Sequence, residues 1–376
     1  MEGAARVLVH LSRGGARPQR AAFLQSVTGH FCAPHEDTAL VSAGLDCGRL
    51  VLADHSFPGS TSVLLQRPPF CPMKLLAEPQ TATLPAELRG RGVDVGVAVL
   101  LQTSDRRVLL TRRAPGLSIF PNIWVPPGGH VEPDEQALVG LSQTMIFACL
   151  WSRVQLLEVG LRELQEETGL RLEPGAVSWR MLGLWEVTLE QGWWVSGSKG
   201  TYKPGLSQPA PGTPWGACLS LAEPSRATGS SPVQVPAASR SHTPSPQSVF
   251  PPRLSRGLPC RHHIVAYLLL LAKETHQQLE ARMQPDESEV SAYAWLEPPV
   301  LESIVAAGDV AESLGQVPSH LPATVRVTEL SGGQAQATEL PTATLLNTAP
   351  AHGEDVERVS TGTKFALQLW LDTTAK

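Results

Sequence analysis

Apolar positions recur along this chain in several short runs of strand character and in one run of helical spacing. Residues 6–11, 38–41, 49–53 and 61–65 are β-type runs separated by Gly and Pro turns, which predicts a small β-rich region over residues 1–88. Residues 95–102 are apolar and β-branched, as a buried strand is. Ser104 and Asp105 turn the chain and 107–111 returns, predicting a hairpin. Residues 123–125 lead into Pro126-Pro127-Gly128-Gly129, where prolines end a strand and glycines open conformations closed to other residues. Leu156, Leu157, Leu161 and Leu164 share one side of a helix over 156–168, which Gly169 stops. Strands are predicted again over 177–186, 262–271 and 290–296, and a closing helix over 363–371.

Residues 187–247 differ in kind. They are rich in Pro, Gly, Ser, Thr and Ala without a lasting period, a composition that buries too little apolar area to offset ordering, so a disordered insertion is expected there. The net charge of −5 supplies no global basic field, which argues against DNA as a partner and makes any contact with RNA local. Six cysteines without a C-x-x-C spacing read as reduced thiols, and the expected setting is cytoplasmic, with the nucleus left open as a second compartment. The most apolar runs, 137–151 and 264–272, fall short of the ~20 residues that span a bilayer, so no membrane is expected.

The chemistry is concentrated in Arg162-Glu163-Leu164-Gln165-Glu166-Glu167-Thr168-Gly169. On a helix, Glu163 lies four residues from Glu167 and three from Glu166, so the three carboxylates project from adjoining positions. Like charges packed together need compensation, and Mg²⁺ or Mn²⁺, hard cations that take oxygen ligands, would supply it. A solvated acidic face is the plain alternative for this segment alone. What sets it apart is Gly128-Gly129-His130-Val131-Glu132-Pro133-Asp134-Glu135 upstream.

Together these segments resemble the Nudix box: Gly129 and Glu135 match its first half, and Arg162, Glu163, Leu164, Glu166, Glu167, Gly169 and Leu170 its second. The resemblance implies an α/β fold, a Nudix-type α/β/α sandwich with a mixed sheet over residues 89–300, preceded by the β-rich region and followed by a tail, 301–376, with a short helix. It implies a metal-dependent hydrolase of a phosphoanhydride in a nucleoside-diphosphate compound. Glu163 and Glu167 would be metal ligands, and Glu166 a third ligand or the base that prepares water. Arg162 would hold Glu135 or orient the carboxylates, and Gly128 and Gly129 would shape the loop against the helix. Glu289 is a candidate base or extra ligand from a later loop, with a surface carboxylate as the alternative. Segments 253–259, 261–265 and 357–367 further resemble family members that act on 7-methylguanosine-capped messenger RNA, which would imply a nucleotide or capped-RNA substrate and release of 7-methylguanosine diphosphate.

The chain departs from the family pattern in spacing. Seven residues should separate Glu135 from Arg162, and 26 do. Excising 137–155 restores the spacing, whereas a continuous helix would put Val154 where a carboxylate belongs. Excising 187–247 also joins two plausible segments. Both stretches therefore have the character of retained intervening sequence. A catalytically impaired Nudix-fold binding protein stays open as the alternative. Elsewhere, His262 and His263 should point to opposite faces of a strand and not share an ion. Trp124, Trp185 and Trp295 are candidates for base stacking or for the core. Arg112, Arg113, Arg253, Arg256 and Arg261 are candidates for a phosphate path.

Overall fold

The computed structural model describes residues 6–46, 48–69, 71–75, 90–117, 119–131, 145–190, 259–307, 317–349 and 357–374. Glu135, Arg253, Arg256 and nearly all of the 187–247 segment lie outside them.

The N-terminal runs form β1 (Leu8–Ser12), β2 (Gln19–Arg20), helix α1 (Val27–Phe31), β3 (Thr38–Asp46), β4 (Arg49–Ala53), β5 (Thr61–Gln66) and α2 (Pro72–Leu75). The expected hairpin follows as β6 (Asp94–Gln102) and β7 (Val108–Arg113), then β8 (Ile123–Val125) and β9 (Gly128–His130). Helix α3 (Met145–Thr168) carries the acidic segment. It begins at Met145 and not at 156, so part of the 137–155 stretch continues the helix. Long strands β10 (Ser178–Glu190) and β11 (Pro259–Leu271) come next, with α4 (His276–Glu280), β12 (Val290–Leu296) and α5 (Pro298–Ala306). Strand β10 runs past Val187, into the stretch expected to be disordered. The C-terminal part adds β13 (Thr324–Ser331), β14 (Gln334–Pro341), α6 (Thr342–Leu345), β15 (Arg358–Val359) and α7 (Thr361–Thr374). Thus the weakly patterned tail holds a hairpin that periodicity did not announce.

These strands form one mixed sheet. Its order runs β14-β13-β12-β7-β6-β11-β10-β5-β3-β4-β1-β2, with β9 on β6 and β8 on β7. Strands β6 and β11 are parallel over Asp94–Gln102, whereas β10 and β11 are antiparallel along nearly their whole length. The N-terminal strands enter this sheet directly: β5 pairs in parallel with β10, Gly183 opposite Leu64, and β1 returns to β6 with Leu8 opposite Asp94. The hydrogen-bonded path from β6 through β11, β10, β5, β3, β4 and β1 therefore closes on itself.

Two apolar cores cover the two faces. On one, Leu156, Leu157, Leu161 and Leu164 of α3 pack with Val97, Val99, Leu184, Ile264 and Leu268, and with Val9, Leu52 and Leu65 of the N-terminal strands. On the other, Leu100, Leu110, Tyr267 and Ala294 meet Leu301 and Ile304 of α5 and Phe365, Leu367 and Trp370 of α7. The result is helix, sheet, helix: the expected α/β/α arrangement. Gly169 ends α3 at φ +72°, its N–H donating to the Gln165 carbonyl at 2.8 Å, the left-handed stop that a Cβ would strain. That stop fixes where the acidic last turns of α3 sit.

Candidate active site

The acidic turns of α3 lie against β9, and the contact is close enough to dictate glycine. A Cβ on Gly129 would stand 2.2 Å from Glu163 Oε2, and one on Gly128 would stand 2.2 Å from the Val97 carbonyl oxygen. The Pro-Pro-Gly-Gly segment therefore lets a strand pass directly beside a carboxylate, which no larger residue permits.

From that contact a cleft of about 410 Å³ opens, with Glu163, Glu167, Arg162 and Glu289 in its lining and Trp185, Tyr267 and Gly362 further along it. Glu163 and Glu167 are both buried. Glu167 accepts the Gly128 N–H at 3.2 Å and the Thr111 hydroxyl at 3.4 Å. Burial pushes its carboxyl up to about 8; the charges of Glu289 and Glu163 push the same way, opposed by the Gly128 N–H and Arg113. Arg113 donates from Nε to the Ile119 carbonyl at 3.0 Å, and burial lowers its pKa against the pull of Glu167 and Glu289. Glu289 comes from the loop before β12, where its carbonyl accepts the Ala114 N–H at 2.8 Å.

The three clustered glutamates part company in the fold. Glu166 is exposed and outside the cleft lining, and its carboxylate is held by Arg162 Nη1 at 3.0 Å. Helix geometry is the reason: from Glu163, four residues forward advance about 40° around the axis and three residues fall about 60° short. Glu167 thus shares the cleft side with Glu163, and Glu166 turns to water. Glu289, itself exposed, lines the cleft with the buried pair instead. Arg162 fulfils one of its two expected arrangements. It donates from Nη2 to Glu163 Oε1 at 2.8 Å and toward the His130 carbonyl at 3.4 Å, and so orients a carboxylate. Its other expected partner, Glu135, lies outside the described residues.

The oxygen-only donor set fits a hard divalent cation. Glu163, Glu167 and Glu289 share a field that Arg113 only partly balances, and a cation would lower the cost of keeping Glu167 ionised. Among the described residues no three His, Cys, Asp or Glu side chains converge as a closed metal cage.

The other candidates sort by face. His262 and His263 point to opposite sides of β11. His262 is fully buried, its Nε2 3.0 Å from Glu186 Oε1 and its Nδ1 2.7 Å from the Phe23 carbonyl. His263 lines the cleft, and burial drives its pKa down to about 3. Trp185 lines the cleft as well. Trp124 is core, donating from Nε1 to Glu357 at 2.7 Å, and Trp295 lines a separate cavity beside Arg107 and Tyr293. Arg112 is engaged by Glu329, Glu357 and the Trp124 ring, whereas Arg113 and Arg261 face the cleft. Sequence reasoning missed Tyr267, although its period-two relation to His263 and Val265 puts all three on one strand face. It also missed the Ser360–Gly362 turn, which is far from the box in sequence.

A mixed sheet between helix layers, with a Gly-Gly strand pressed against a glutamate-bearing helix, defines a hydrolase of the Nudix type. A match to a Nudix domain model over residues 91–141 agrees, and with the relatives that follow it shows that the chain belongs to the Nudix family. Three vertebrate relatives extend this over its length. The chain is 45% identical over 372 residues to the Xenopus laevis protein named m7GpppN-mRNA hydrolase NUDT17, covering 99% of this chain and 97% of that one. It is 42% identical to the Danio rerio protein of that name, covering 99% and 97%, and 42% identical to the Homo sapiens one, covering 97% and 87%.

Proposed function

We propose that this protein hydrolyses a phosphoanhydride of 7-methylguanosine-capped RNA, releasing 7-methylguanosine diphosphate with the help of Mg²⁺ or Mn²⁺. The observation that carries the reading is the pairing of buried Glu163 and Glu167 with Glu289 at one end of a single elongated cleft. The substrate class is supported by the full-length similarity to relatives named for capped messenger RNA.

In this reading Glu163 and Glu167 would hold the divalent ion, with Glu289 facing the same cleft, and the ion would neutralise diphosphate charge and make water a stronger acid. Arg162 keeps Glu163 in place from within the cleft lining. Arg113 and Arg261 offer positive charge to the substrate phosphates. Glu166 stays beside the site as a solvent-side carboxylate that restrains Arg162. The test is direct: purified protein with Mg²⁺ or Mn²⁺ is given capped RNA, nucleotide sugars, dinucleoside polyphosphates and coenzyme A esters. Capped RNA should be the best substrate, with 7-methylguanosine diphosphate as product; preference for another member of the panel overturns the substrate, and no turnover anywhere overturns the enzyme.

One observation favours a second reading, a family member whose catalysis is impaired. Helix α3 runs back unbroken to Met145, so the register position expected of the first-half glutamate belongs to Val154. Deleting 137–155 separates the two readings. If only the shortened chain turns over substrate, the full-length chain is a binding form.

A further inference from the structure

The cleft has a second end that the carboxylates do not explain. Three alternate residues of β11, His263, Val265 and Tyr267, line it, and Trp185 of β10 joins them. Across the sheet, Gly128 pairs with Ala98 and Ala98 pairs with Tyr267. Tyr267 is therefore two strands over from the glycine whose N–H meets Glu167, a separation of roughly 10 Å at ordinary strand spacing. That is the reach of a diphosphate and a ribose. A nucleotide with its phosphates at Glu163 and Glu167 would bring its base to this point.

Two polar groups wait there, an indole N–H that can only donate and a phenol hydroxyl that can donate or accept. Trp185 and Tyr267 are 2% and 5% exposed, and among the described residues neither the indole N–H nor the phenol hydroxyl has a hydrogen-bond partner. Neither atom is sealed from the cleft, so both are free to hydrogen-bond a ligand lying in it. They converge: a Cβ on Gly362 would lie 2.6 Å from Tyr267 Oη and 3.2 Å from Trp185 Nε1. Gly362 stands in the first turn of α7, whose N-terminal end, capped by the Ser360 hydroxyl on the Thr363 N–H at 3.0 Å, adds a positive dipole to the same spot. The carboxylates of the cleft lining, Glu163, Glu167 and Glu289, belong to the other end.

An indole N–H can only donate. A purine carrying a carbonyl at position six offers an acceptor there, and adenine offers an amino group that would leave the indole unpaired. We infer that Trp185, Tyr267 and the α7 N-terminus at Gly362 form a base-recognition subsite that takes the six-carbonyl of guanine and rejects adenine. This rests on the proposed nucleotide orientation, with phosphates at Glu163 and Glu167.

Calorimetric titration in the presence of Mg²⁺, with product analysis confirming that the diphosphates stay intact, tests it on the full chain. The probes are GDP, 7-methyl-GDP, IDP and ADP. The wild-type protein should bind the three carbonyl-bearing diphosphates at least about tenfold more tightly than ADP, because a site built around a donor penalises a ligand that cannot accept. Trp185→Phe and Tyr267→Phe should each weaken GDP about tenfold and leave ADP within about twofold. Equal wild-type affinity for GDP and ADP overturns the subsite, as does an equal loss for both ligands in the variants. Tyr267→Phe removes one oxygen atom and decides the matter if the tryptophan variant does not fold. Capped-RNA turnover is scored separately. A chain that prefers GDP yet leaves capped RNA intact overturns the proposed substrate alone, and one that hydrolyses capped RNA without base preference overturns the subsite alone.

Discussion

The Glu186 carboxylate and the His262 imidazole meet at 3.0 Å with both side chains fully buried. The pair is also a tether. Glu186 accepts the Val27 and Thr28 N–H groups, each at 2.8 Å, and His262 reaches the Phe23 carbonyl, so two strands of the catalytic sheet grip the start of α1. Removing one member leaves the other buried and uncompensated, which costs about 3–5 kcal/mol. His262→Leu should show that loss in urea denaturation with an unchanged slope. A loss under about 1 kcal/mol would mean the pair tethers nothing.

Acid should weaken the protein in two windows. His263 is buried and its folded pKa is depressed to about 3, so its stabilising contribution is complete above the ordinary histidine value of about 6.5 and fades as pH falls from there. Burial raises the Glu186 pKa, but hydrogen bonding and charge from His262 and the Thr28 N–H outweigh it and leave the folded value depressed. Its contribution is therefore present above the ordinary carboxylate range and lost as pH falls through the folded value. Glu167, raised to about 8, works in the opposite sense between that value and the ordinary carboxylate range, so the His263 contribution is read as a difference: from pH 7 to 4, His263→Gln should lose a slope of up to about 1.4 kcal/mol per pH unit that the wild type carries. A slope in that variant matching the wild type contradicts the assignment.

Gly129→Ala puts a methyl where Glu163 now stands, 2.2 Å from its Oε2. Turnover should fall at least about a hundredfold, because ligand geometry is sensitive to displacements of this size. Stability should fall by only about 1–3 kcal/mol, since β9 is short and lies at the cleft. Activity near the wild-type level would show that Glu163 can move without consequence.

Glu167→Gln and Glu166→Gln should differ sharply. The first removes a buried carboxylate in the cleft, so kcat should drop at least about a hundredfold, while thermal stability holds or rises because a buried ionisable group is replaced by a neutral amide of the same shape. The second touches an exposed side chain whose partner is Arg162, and should cost less than about tenfold. A reversal of that order would give Glu166 the part argued here for Glu167 and Glu289.

Much of this was legible in the residues and some was not, for physical reasons. Strands such as β6 and β12 announced themselves because both their faces are buried and their side chains are apolar. The β13–β14 hairpin did not: β14 presents mostly exposed Gln, Ala, Thr and Glu, so no burial pattern marks it. The nearness of Glu163 and Glu167 followed from helical spacing, whereas the placing of Glu166 required knowing which way the leucine stripe of α3 faces. Glu289 could be nominated but not weighed, since its distance from Glu167 is set by the turn before β12. Glu186 gave no sign. Its meaning depends on Val27 and Thr28, which only the parallel pairing of β5 with β10 brings near.

The sheet that returns from β1 to β6 has a bearing on how this molecule comes apart. Cutting away the residues through Gln66 would not liberate a smaller working enzyme. It would strip β10 of its neighbour and leave bare the backbone groups of Gly183–Trp185 that now face Leu64–Gln66, an invitation to sticking between molecules. Catalytic strands and opening strands should consequently melt, exchange their amide protons and resist proteases as one cooperative body.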